Sequence, residues 1–155
     1  MTTFIKTDDI MTVKVKVKKL HESAVLPQKA HPTDAGADLV ATSMKWDDEG
    51  NLVYGTGLAF EIPEGFVGAI FPRSSIAKKE QILTNSVGLV DCHYRGEVMA
   101  KFAPTNKHIG GGSRYVVGDR IAQMVILPVL DVVYEAAEEL SETDRGEGGY
   151  GSSGR

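Results

Sequence analysis

A single cysteine, Cys92, stands among the 155 residues, so no disulfide can close within the chain and no cysteine-based zinc site can be built. The four histidines, His21, His31, His93 and His108, lack the spacing of metal ligands, and a structural metal is not expected. Long hydrophobic runs are also missing: none reaches the ~18 residues of a membrane span. Met1–Ile10 carries two aspartates where a secretory leader needs a basic start and an apolar stretch. These absences lead to the expectation of a soluble protein, cytoplasmic or otherwise intracellular, with no membrane partner. Basic excess is lacking too. Seventeen Lys+Arg face 21 Asp+Glu, a formal charge of −4, which leaves no footprint for nonspecific binding to a nucleic acid polymer. Small anions remain accessible to local basic clusters.

What is present fits one globular domain: 42% of residues are hydrophobic and 25% charged, at a length able to bury a core. Seventeen glycines, about 11% against an average of ~7%, point to many turns and close backbone approaches. Val13, Val15 and Val17 alternate with Lys14, Lys16 and Lys18, the period of a strand with one wet face. Further strand candidates are Gly36–Thr42, Leu52–Ile62, Phe66–Phe71, Gln81–Thr84, Val87–Val90, Glu97–Phe102, Arg114–Val117 and Ile121–Val133, separated by Gly, Pro, Asn or Asp. Only Ser75–Glu80 and Tyr134–Leu140 look briefly helical, too short to cover parallel strands. The pattern therefore favours an all-β sandwich or jelly roll over a Rossmann or helix-covered barrel.

The region 145–155 holds five glycines and two serines and cannot pack a core element. Fixing each residue costs ~1–2 kcal/mol of backbone entropy, so this tail is expected to be mobile until something binds it. The chain thus divides into a β domain, 1–144, and a flexible tail, 145–155. Gly146-Glu147-Gly148-Gly149-Tyr150-Gly151 formally matches G-x-G-x-x-G, but only four residues follow, whereas the dinucleotide fingerprint must open a helix inside a βαβ unit. No Walker G-K-[ST] and no G-x-S-x-G elbow is present. The tail reads either as a loose terminus or as a segment closing over a nucleotide, with Arg145 and the serines on phosphates and Tyr150 against a base.

Three further stretches could carry chemistry. Pro72-Arg73-Ser74-Ser75 ends a strand with an arginine and two hydroxyls, suited either to an anion or to ordinary helix capping. Asp34-Ala35-Gly36-Ala37-Asp38-Leu39 sets two carboxylates in a turn entering a strand. The run from Asn85 to Val98 reads as a strand, a tight turn over Asp91–Gly96 and a returning strand, a hairpin with Asp91 and Tyr94 near its tip. Cys92 and His93 offer no fixed partner for thiol chemistry. The Gly110–Gly112 stretch reads as a flexible hairpin connection.

Taken in order, these segments together with Gly88-Leu89-Val90-Asp91, Gly118-Asp119-Arg120-Ile121-Ala122-Gln123 and Arg145 to Gly154 resemble the five motifs of the homotrimeric dUTPase family, over nearly the whole chain from about Val13. The resemblance implies a jelly roll, three subunits with shared active sites, and hydrolysis of dUTP to dUMP and diphosphate with Mg²⁺. That activity would keep uracil out of DNA and supply dUMP for thymidylate synthesis. By resemblance, Asp91 orients and deprotonates the water attacking the α-phosphorus, a general-base role typically worth ~10²–10⁴ in rate. Tyr94 would pack under the deoxyribose, while Asn85 and the backbone of Gly88 to Val90 would read the uracil. Arg73, Ser74, Ser75 and Gln123 would hold phosphates, and Asp34 would touch the water shell of Mg²⁺, itself held mainly by triphosphate oxygens. Arg145 would meet the terminal phosphate, Tyr150 would stack on the uracil, and Gly151, Ser152 and Ser153 would complete the closing tail.

Two departures stand out: Tyr150 where the family more often has Phe, and Cys92-His93 where it commonly has a small or polar residue followed by Asp. A related jelly-roll enzyme, dCTP deaminase, is the nearest rival reading. It relies on a glutamate base and lacks the tyrosine-bearing turn and the glycine-rich tail. A nucleotide-responsive regulator that binds a protein partner could keep every motif.

Overall fold

The computed structural model describes residues 5–7, 10–105 and 113–149. Among them run twelve strands: β1 (Ile5–Thr7), β2 (Ile10–Thr12), β3 (Lys16–Lys19), β4 (Ala37–Val40), β5 (Ser43–Trp46), β6 (Leu52–Gly55), β7 (Leu58–Glu61), β8 (Phe66–Pro72), β9 (Gln81–Leu83), β10 (Gly88–Val90), β11 (Met99–Pro104) and β12 (Arg120–Pro128). A five-residue 3-10 helix, η1 (Ser74–Lys78), follows β8. Two four-stranded antiparallel sheets, ordered β10-β8-β12-β4 and β5-β6-β11-β9, dominate, with smaller pairs β1-β2 and β3-β7. The expectation of an all-β sandwich is met.

One buried cluster joins the sheets. Leu39, Ile70, Val90, Ile121 and Met124 from the first meet Leu52, Tyr54, Leu83, Ala100 and Phe102 from the second. Leu39, Tyr54, Phe102 and Ile121 are wholly buried, each worth ~1.5–3 kcal/mol as a large side chain removed from water. Tyr54, Phe102 and Tyr115 pack edge to face, with centroids 5.6 to 6.4 Å apart, a geometry that aligns ring edges with ring faces.

Several local readings are corrected. Leu52–Ile62 is two strands in different sheets: the chain turns at Gly57, whose φ of +66° suits glycine, and β7 pairs with β3. Asp91–Gly96 is no hairpin turn, since β10 pairs with β8 while β11 pairs with β6 and β9. The chain there crosses from one sheet to the other, carried over by Val98 N–H on Leu58 O (2.9 Å) and Val98 O accepting from Thr56 Oγ1 (2.7 Å). Arg114–Val117 forms no strand: Asp119 turns it, its Oδ2 accepting from Val116 N–H at 3.0 Å. Tyr134–Leu140 is not helical. Both Tyr134 (92% exposed) and Leu140 (88%) face solvent, and a helix so short does not hold in water without packing. β5 escapes a search for alternation because all four of its residues are exposed. The Gly110–Gly112 stretch lies outside the described residues.

Candidate active site

Strand register gathers the first group. On β12, Gln123 sits opposite Asp38 of β4 on one side and Phe71 of β8 on the other, so the start of β4 and the end of β8 flank it. Asp34, Gly36, Asp38, Arg73, Ser74 and Gln123 thereby line one pocket of about 300 Å³. Gly36 lets the turn close on β12: a Cβ there would stand 2.6 Å from Gln123 Oε1. Gln123 Nε2 donates to Pro72 O at 3.2 Å, tying β12 to the approach of η1. Asp34 is fixed as its Oδ2 accepts from His31 N–H at 2.9 Å.

Asp38, which sequence reading left without a role, holds Arg73 of this pocket together with Arg120, which lies outside the pocket's lining. Arg73 Nε donates to its Oδ1 at 2.6 Å, and Arg120 NH1 donates to its Oδ2 at 3.0 Å. The Arg73 and Asp38 side chains are 23% and 14% exposed, so this charge-assisted pair is sheltered and directional. Capping does not explain the serines, because the residue before η1 is Arg73 and no side chain caps it.

A second pocket, of about 220 Å³, is lined by Asn85, Gly88, Val90, Asp91 and Tyr94 among others. Asp91 follows β10 directly and its carbonyl accepts from Tyr94 N–H at 3.0 Å, closing a turn that keeps both side chains at one rim. Tyr94 Oη donates to Glu97 O at 3.1 Å, and Glu97 Oε1 accepts from Gly57 N–H at 2.8 Å. The tyrosine ring is thus held at both ends while 45% exposed. Its rim position leaves a flat face for a ligand. A Cβ on Gly88 would come within 3.3 Å of Asn85 Nδ2 and of Ile70 Cβ, so glycine lets a ligand approach the backbone here.

The two pockets share no lining residue. Val90, the residue before Asp91, pairs with Gly68 of β8, five residues before Arg73. At ~3.3 Å per residue that span is about 17 Å. Arg145 joins neither group: it is exposed, and its Nε donates to Gly148 O at 2.9 Å in a local turn. Tyr150, Gly151, Ser152 and Ser153 lie outside the described residues. Among the described residues no three His, Cys, Asp or Glu side chains gather as metal ligands, and no helix is long and apolar enough to cross a membrane.

Against known proteins, residues 22–154 match the family model described as dUTPase. The deoxyuridine 5'-triphosphate nucleotidohydrolase of Rhodococcus erythropolis is 42% identical over 144 residues, covering 92% of this chain and 87% of that protein. Its namesake from Syntrophotalea carbinolica is 43% identical over 152 residues, 92% of this chain and 98% of that one. Among solved structures, the Staphylococcus bacteriophage 80alpha dUTPase with dUPNHPP superposes with a TM-score of 0.75 at 29% identity, over 93% of this chain and all of the other. A polar pocket around Arg73, an aspartate–tyrosine pocket beyond β10 and a match spanning most of the sequence converge on one assignment: the chain belongs to the dUTPase family.

Proposed function

We propose that the chain is a dUTP diphosphatase that cleaves dUTP to dUMP and diphosphate in sites shared between copies of a homotrimer. Family membership supports the substrate. The observation that supports the shared site is the span of about 17 Å between Arg73 and Gly68, the β8 residue paired with the neighbour of Asp91. A general base has to reach its water at ~3 Å, and that water has to touch phosphorus. Asp91 of one copy therefore serves phosphates held by Arg73 of another.

In this reading Asp91 accepts a proton from water as the water oxygen bonds to the α-phosphorus. The bond from that phosphorus to the bridging oxygen breaks, and diphosphate departs with the electron pair. Arg73, Ser74, Ser75 and Gln123 hold the phosphates. Tyr94 lies under the deoxyribose, where a 2′-hydroxyl would clash, and Asn85 with the backbone at Gly88 and Val90 reads the uracil. The tail from Arg145, with Tyr150, Gly151, Ser152 and Ser153, closes over the nucleotide. Val129, Leu130, Val132, Val133 and Tyr134 are all at least half exposed on a segment without strands. Such an apolar segment suits a path across a neighbouring copy toward the site.

Mg²⁺ fits this pocket as an ion arriving on the substrate: of the two carboxylates that line it, Asp38 is engaged by Arg73 and Arg120, which leaves Asp34, and a hard cation takes its remaining oxygens from phosphate and water. Bound there, it supplies charge neutralisation on the triphosphate. An intracellular location accords with the substrate.

Incubation with each deoxynucleoside triphosphate and Mg²⁺, with diphosphate measured, tests the reading. Rapid release from dUTP alone is the expected result. Ammonia release from dCTP would assign the rival deaminase chemistry instead.

A further inference from the structure

Tyr115 belongs to none of the motifs, yet its hydroxyl lies 2.9 Å from Ser75 Oγ. We propose that Tyr115 is a positioning residue that, by donating to Ser75 Oγ, commits the Ser75 hydroxyl proton to a phosphoryl oxygen of the substrate. The proposal rests on the reading above, in which the Arg73–Ser75 segment holds phosphates.

The direction of this hydrogen bond follows from counting protons. The Tyr115 residue is 2% exposed, and a buried hydroxyl proton left without an acceptor costs free energy. Among the described residues Ser75 Oγ is the hydrogen-bond partner of its hydroxyl. The reverse arrangement, Ser75 donating inward, would strand the phenol proton in the core. Arg73 NH1 also reaches Ser75 Oγ, at 3.4 Å, and a guanidinium can only donate. A serine hydroxyl has two lone pairs and one proton. With Tyr115 and Arg73 on the lone pairs, the proton is all that remains, and it is left for an anion that reaches Ser75 from Arg73.

The phenol is held still enough for the task. Its ring packs edge to face on Tyr54 and Phe102, and its carbonyl accepts from Tyr54 Oη at 2.9 Å. Above the ring lies Lys79 Nζ, 4.8 Å from the centroid, so the ring meets Ser75 within η1 and Lys79 just after it. A donor fixed before the substrate arrives needs no reorganisation when negative charge appears.

The test uses the full chain with Tyr115→Phe, Ser75→Ala, Ser75→Thr and the double variant Tyr115→Phe/Ser75→Ala. Inorganic pyrophosphate and deoxyuridine serve as competitors of dUTP hydrolysis, and calorimetry measures pyrophosphate binding directly. Tyr115→Phe should raise KM for dUTP and weaken pyrophosphate binding about five- to tenfold, the upper end of what one ordinary hydrogen bond contributes. Deoxyuridine, which has no phosphate, should compete as before. Ser75→Ala, which leaves the core ring intact, should show the same selective loss, the double variant should be no worse than Ser75→Ala, and Ser75→Thr should retain binding. Unchanged pyrophosphate affinity in Tyr115→Phe or Ser75→Ala, or fully additive losses, overturns the role of Tyr115. A wild-type chain that binds pyrophosphate but does not cleave dUTP overturns the functional reading instead.

Discussion

The hydroxyl of Tyr94 occupies the space where a side chain on Gly96 would begin. Tyr94 Oη is meanwhile held on Glu97 O at 3.1 Å, so the ring cannot yield without losing that bond. Gly96→Ala is therefore expected to push the ring off its seat and open the floor beneath the sugar. The ratio of UTP to dUTP cleavage should rise, as it should in Tyr94→Ala, with the fold intact by circular dichroism. A ratio equal to wild type in both variants would remove Tyr94 from discrimination against the 2′-hydroxyl.

Asp38 governs a different quantity. Its two oxygens orient Arg73 and Arg120, so Asp38→Ala frees the guanidinium that faces the phosphates. A hydrogen bond to a charged group is worth ~1.5–3 kcal/mol, which corresponds to a loss of about ten- to a hundredfold in kcat/KM for dUTP. Steady-state kinetics checks this. An unchanged kcat/KM would mean that Arg73 needs no carboxylate to aim it.

How much of this could be read from sequence depends on the range of the contact. The Val13, Val15 and Val17 alternation survives as half-buried valines between exposed lysines, although only Val17 of the three lies in a strand, β3. The run from Ile121 shortens to β12, ending at Pro128, where the missing N–H of proline interrupts a ladder. The sheet crossing after Asp91 was invisible, since turn residues look alike whether the next strand returns to the same sheet or crosses to the other. Asp38 lies 35 residues from Arg73, and Tyr115 lies 40 from Ser75. Neither pair leaves a local pattern, and a tyrosine among valines reads as core. The motif residues themselves were legible only as an ordered set, and the two pockets on which they fall required the β8 register.

Acid sensitivity should appear away from the site, in the β5–β6 turn. The Asp47 carboxyl is lowered to about 2, first by its hydrogen bond to Lys101 and then by the Asn51 backbone N–H. A depressed carboxyl contributes stability that is complete above its ordinary value of 3.8 and is lost as pH falls through about 2. Asp47→Asn should thus flatten the stability curve between about pH 4 and pH 2, while dUTP turnover at pH 7 stays at the wild-type level. Thermal melts across that range measure the difference. A variant curve parallel to wild type would show that the turn contributes nothing to acid denaturation.

The distance between Asp91 and Arg73 gives the most direct test of the assembly. Asp91→Asn should fold and bind dUTP but turn over at least ~10²-fold more slowly, because an amide cannot take the proton of water. Arg73→Ala should fail separately, through the phosphates. If one copy supplied both groups, no mixture of the two variants could contain an intact site. If Asp91 of one copy faces Arg73 of the next, mixing restores some. In a cyclic trimer with two Asp91→Asn chains and one Arg73→Ala chain, the single intact Asp91 faces an intact Arg73, so about one site in three is whole by the symmetry of head-to-tail interfaces. The opposite composition gives the same fraction. Chains unfolded together and refolded should therefore regain activity, with mixed trimers identified by native mass spectrometry. Mixed trimers at background activity would mean that the pockets work within one copy and that the shared site is wrong.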